Sequence, residues 1–139
     1  MWLFAGLVVA GLVVAAAIIA TRGGGSSTSA TPASASASCA AWRNAQPRLA
    51  TVPTPTGGDW RPTSPGGLAV VTAWSQALTP ILDDMDRAAR SGGPASDLLA
   101  RYVTAQRDAL GAAWAGQYGP AQISDVKGAR LALDDVCGT

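Results

Sequence analysis

The chain has 139 residues, ten basic against nine acidic, and it contains neither His nor Glu. All nine acidic residues and nine of the ten basic ones lie beyond residue 38, so that part is formally neutral. Neutrality excludes a nucleic-acid binder, which needs net positive charge against phosphates. The missing His excludes Ser-His and Cys-His catalysis, and without Glu the carboxylates available for acid–base work narrow to Asp.

Residues 1–20 carry no charge. At about 1.5 Å per residue they reach about 30 Å, the thickness of a bilayer core, so residues 1–22 are expected to form a transmembrane anchor. A cleaved signal peptide has a basic leader, a shorter apolar run and a small-residue site soon after it. Here the convincing small-x-small sites in polar surroundings, Ala33-Ser34-Ala35 and Ala35-Ser36-Ala37, lie well past the run. Cys39 follows Ser-Ala-Ser, which is no lipobox. Arg22 alone argues for an N-out topology. The two cysteines and the Ser/Ala tether argue the other way, for N-in and a C-terminal domain outside the cytoplasm. That orientation carries the expectation of a native start upstream of Met1, where a basic leader would lie. Gly-Leu-Val-Val-Ala occurs twice in tandem, which places Gly6 with Ala10 and Gly11 with Ala15. Such small-xxx-small pairs let a second membrane helix approach closely, self or a larger partner. An Ala-rich chain also produces them by chance.

Residues 23–38 are Gly, Ser, Thr, Ala and one Pro. They have too little apolar surface to order themselves, and they predict a flexible linker reaching roughly 20–24 Å.

Residues 39–139 carry the folded domain, and its period is helical. Cys39, Trp42, Arg43, Gln46 and Leu49 predict a short first helix limited by Pro47. Residues 50–67 hold four prolines and four glycines and predict a loop. Leu68, Val71, Trp74, Leu78, Ile81, Leu82, Met85 and Ala89 form one stripe, with Pro80 interrupting its backbone bonding. Gly92-Gly93 ends that helix. A third helix opens at Pro94, places Leu98, Leu99, Tyr102, Val103, Gln106, Leu110, Ala113 and Trp114 on one face, and is expected to stop at Gly119-Pro120. A fourth carries Ile123, Val126, Leu133, Val136 and Cys137. The expected fold is therefore all-α, three main helices plus a short N-terminal one.

Cys39 opens the first helix and Cys137 closes the last. Two thiols beside a membrane span, with no His and no CxxC, predict a disulfide rather than a metal site. Asp83, Asp84 and Asp86 lack the alternation and Gly of a calcium loop. Their spacing instead predicts i,i+4 pairs, Asp83 with Arg87 and Asp86 with Arg90, repeated by Asp97 with Arg101 and reversed in Arg130 with Asp134. No catalytic, cofactor-binding or metal-binding set is found. Trp60, with Asp59 and Arg61 beside it, has two readings. It folds back over the bundle as most tryptophans do, or it anchors an interface together with Arg61.

Trp114-Ala115-Gly116 resembles, over three residues, the WxG motif of the helical-hairpin family of small secreted proteins, where it marks the turn between two long helices. No function is carried over from it. The Ala/Arg/Asp bias, the Ser/Ala tether, the Cys-Ala-Ala-Trp opening and the Leu-Asp-Asp-Val-Cys-Gly ending resemble membrane-anchored proteins of high-GC actinobacteria. That likeness implies an envelope protein of the cell membrane and no activity. The functional expectation is a non-enzymatic accessory subunit of a larger membrane complex, or a homodimer through the span. The alternative is a tethered binding module for a cell-wall or peptide ligand.

Overall fold

Four helices follow one another through the computed structural model, which describes residues 32–55 and 61–139, and no strand occurs among them. They are α1 (Pro32–Leu49), α2 (Pro65–Ala89), α3 (Pro94–Trp114) and α4 (Pro120–Cys137). The all-α expectation is met. The anchor expected over 1–22, with Gly6, Ala10, Gly11 and Ala15, lies outside the described residues, as does Trp60. Among the described residues no helix is long and apolar enough to cross a membrane.

The first helix corrects the sequence reading twice. It starts at Pro32, so the last seven residues assigned to the linker are helical, and with 18 residues it equals α4 in length. Proline suits a helix's first position because its missing N–H has no intrahelical partner there, and alanine has the highest helix propensity. Tertiary contact then fixes the segment, since Ser38 is buried and shares a 2.7 Å hydrogen bond with Ser96 of α3. Pro47 does not stop the helix. It sits on the exposed face and costs only the bond to the Arg43 carbonyl, and α1 runs on to Leu49.

Helix α2 begins three residues earlier than its apolar stripe. The Ser64 hydroxyl accepts the Gly67 N–H at 3.0 Å and Pro65 takes the first helical position. The stripe is buried from Val71 to Met85, but Leu68 is 45 % exposed, because the N-terminal turns of α2 lack a neighbour on that side. Pro80 is also exposed and the helix continues through it.

Helix α3 stops through its turn. Gly116 has φ +68, its N–H bonds the Ala113 carbonyl, and the Gln117 N–H reaches back to Ala112 at 2.7 Å. This is the left-handed stop that glycine supplies without a Cβ clash. The Trp-Ala-Gly motif therefore sits between α3 and α4. Trp114 itself is 44 % exposed, so the face predicted for α3 ends at Ala113. On α4 only Leu133 and Cys137 are fully buried, while Ile123 and Val136 are each 51 % exposed.

The course is up and down. Cys39 meets Cys137 and Ser38 meets Ser96 at one end. Trp74 of α2 meets Tyr118, in the α3–α4 turn, at the other, with ring centroids 5.2 Å apart. Helix α1 thus runs parallel to α3 and antiparallel to α4. Trp42, Leu78, Leu82, Met85, Leu99 and Leu133 fill the centre between them.

Candidate functional site

The described cysteines form a bridge between Cys39 and Cys137, with Cα atoms 5.2 Å apart, and it ties the first helix to the last. One turn further in, Asp134 gathers the polar groups of this end. Its Oδ1 accepts the Trp42 indole N–H at 2.9 Å, the Gln46 amide at 3.0 Å and the Thr139 hydroxyl at 2.9 Å. Its Oδ2 faces the Arg130 Nε at 3.5 Å, the one reversed pair foreseen from spacing. A buried indole N–H needs such an acceptor, since leaving it unpaired costs about 1–3 kcal/mol.

Beside this hub a cleft of about 230 Å³ opens between the C-terminal half of α1, the start of the following loop and the other three helices. Trp42, Trp74, Leu78 and Tyr102 form its back wall, and Gln46, Gln106 and Arg130 bring polar groups to it. Trp42 and Tyr102 pack edge to face, with centroids 4.9 Å apart. Tyr102 is buried, which pushes its phenol above the ordinary 10.0, and its oxygen accepts the Gln106 amide at 2.7 Å. The hydroxyl therefore stays protonated at neutral pH. The rings and Leu78 are almost wholly buried, so the accessible part of the cleft is its rim, where Gln46, Gln106 and Arg130 stand. No nucleophile with an adjacent base lines it.

No family model, curated protein or solved structure matches the chain.

The acidic cluster behaves differently from its sequence reading. Asp83 pairs with Arg107 of α3 at 3.1 Å rather than with Arg87. Asp84 bridges Arg48 of α1 at 2.8 Å and Arg87 at 3.0 Å, and Asp86 pairs with Arg90 as expected and faces Arg107 at 3.8 Å. The pair expected between Asp97 and Arg101 does not form among the described residues. The face is solvent-exposed, as its spacing suggests, but its ion pairs reach across from α2 to α1 and α3 as a surface clasp. Among the described residues no cluster of acidic or sulfur side chains is arranged to hold a metal ion.

The clasp has a pH signature. The Arg48 hydrogen bond holds Asp84 below the ordinary 3.8, and the Arg90 hydrogen bond does the same for Asp86. A carboxylate whose value is lower in the folded state adds stability above its unfolded value and loses it as pH falls through its folded value. The urea midpoint should accordingly hold near pH 5 and decline below 3.8. Arg48→Gln should make that decline shallower. Superimposable acid limbs for the two proteins would show that the Arg48 pair contributes nothing.

Of the residues singled out from sequence, Cys39 and Cys137 come together. Arg61 is exposed, and its carbonyl accepts both the N–H and the hydroxyl of Ser64 at 3.0 Å, in the turn that starts α2. Gln46, Gln106, Arg130 and Asp134 were missed as a group. They lie on three helices, and only Arg130 and Asp134 share a local spacing.

Proposed function

We propose that this chain is a non-enzymatic accessory or structural subunit of a larger envelope complex. In this reading a transmembrane segment over residues 1–22 carries it and its helical domain lies on the extracytoplasmic side. The observation behind it is where the bundle leaves large apolar side chains in water. Of the six large apolar side chains exposed among the described residues, Leu131 and Val136 lie in the second half of α4; the other four are Leu68 and Val70 near the start of α2, Trp114 at the end of α3 and Ile123 at the start of α4. By the up-and-down course, these positions belong to the end of the bundle away from the disulfide. An isolated exposed Leu needs no explanation, but a half-exposed Trp is the residue type that dominates interface hot spots. Arg61 is exposed at this same end. The disulfide supports an oxidising compartment.

The test is purification of the full chain from its native membrane in mild detergent. A stoichiometric larger partner should accompany the wild type and be lost with Trp114→Asp. A monomer or homodimer with no such partner would overturn the reading. One observation favours the second reading, a tethered binding module for a cell-wall or peptide ligand, and that is the aromatic-walled cleft at Trp42, Trp74 and Tyr102.

A further inference from the structure

We propose that the groove between α3 and α4 seats a second copy of this chain, with the two α3 helices packed antiparallel. The groove has a volume of about 870 Å³ and lies on the outer side of the helix pair. Its floor is made of small residues, Ala105 of α3 and Gly128 of α4 among them, and a Cβ added at Gly128 would meet nothing within 4 Å. Space of this kind admits a helix at close range.

Charge decides which helix. Arg101 and Asp108 of α3 and Asp125 of α4 border the groove, and none of the three enters an ion pair among the described residues, a state they share with Arg43, Arg61, Lys127, Asp97 and Asp135 outside it; what sets them apart is their place on the groove. Arg48, Arg87, Arg90, Arg107 and Arg130 are all paired. Arg101 and Asp108 are seven residues apart, on one face and about 10 Å from each other along the axis. The face therefore reads positive, small, small, negative, with Thr104 and Ala105 at its centre.

The complement of that pattern is the same pattern reversed. A two-fold axis running beside α3, between the two helices and level with the Thr104–Ala105 step, brings Arg101 onto the partner's Asp108, and Asp108 onto the partner's Arg101, in one step. Two-fold interfaces are self-complementary in this sense. Asp125 lines the same groove and offers a second carboxylate there. A parallel copy would set like charges against each other, so the antiparallel arrangement is specified. This contact is separate from the apolar end assigned above to a larger partner.

The experiment uses the purified full chain in mild detergent, with the photo-cross-linking residue p-benzoylphenylalanine placed at Thr104 or, as a control, at Lys127. Lys127 is exposed and outside the groove. Position 104 should give a covalent dimer and position 127 should not. Arg101→Asp should reduce the yield from position 104 about tenfold, the effect of turning two surface attractions into repulsions. Adding Asp108→Arg should restore it. No dimer at 104, equal yields at 104 and 127, or a yield insensitive to Arg101→Asp would each overturn the proposal. The last is the result a dimer held elsewhere in the chain would give.

Discussion

Trp42→Ala should lower the unfolding free energy by about 3–5 kcal/mol, the usual range for removing a buried Trp. Trp42 is completely buried, packs edge to face on Tyr102 and donates its indole N–H to Asp134. Its removal leaves a cavity where α1, α3 and α4 meet and takes a donor from the Asp134 carboxylate. Against a stability of roughly 5–15 kcal/mol for a domain of this kind, the loss would place the variant close to unfolding. Two milder variants separate the causes. Trp42→Phe keeps most of the apolar volume and loses the hydrogen bond, whereas Asp134→Ala keeps the ring and strands its N–H. Each should cost about 1–3 kcal/mol. Urea titration followed by circular dichroism reads all three. A Trp42→Ala midpoint close to wild type would mean that the centre of the bundle is not where the stability lies.

Replacing both cysteines with serine should cost about 2–5 kcal/mol while leaving the helical signal largely intact below the melting transition. The bridge spans 98 residues of sequence, and in the chain-entropy account a loop of that size restricts the unfolded chain strongly. The helices themselves do not depend on it. Their apolar stripes and the hydrogen bonds of Trp42 and Ser38 hold α1 in place without the sulfur atoms. The compartment can be read from the same pair. Cys39 and Cys137 should resist alkylation in native protein until reductant is added. Two quantitatively labelled thiols without reductant would place the domain in a reducing compartment and reverse the orientation proposed for the anchor.

Where the sequence reading succeeded, the signal was local. The stripe from Val71 to Met85 repeats every three or four residues and is buried along its length. Gly92-Gly93 ends α2 as expected, because a left-handed turn is easiest for glycine, whereas α3 stops at Gly116 and not at Gly119-Pro120, which instead opens α4. The disulfide followed from there being two cysteines and no competing ligand chemistry. Where the reading failed, it treated each helix as though its partners were known. Leu68, Trp114, Ile123 and Val136 match their stripes, yet each sits near a helix end and is left exposed among the described residues.

The sequence alone determined that this chain folds into helices, where α3 begins and where α2 and α4 end, and that its two cysteines close the domain, because helical period, proline and glycine act within a few residues. Only the tertiary structure decided that Asp83 and Asp84 clasp α1 and α3 to α2, and that Asp134 pairs with an indole 92 residues away. It alone placed Arg101, Asp108 and Asp125 around one groove, with no ion pair among the described residues. These outcomes depend on which helix lies beside which. The same carboxylate is satisfied within its own helix or across to another according to the distance that packing sets.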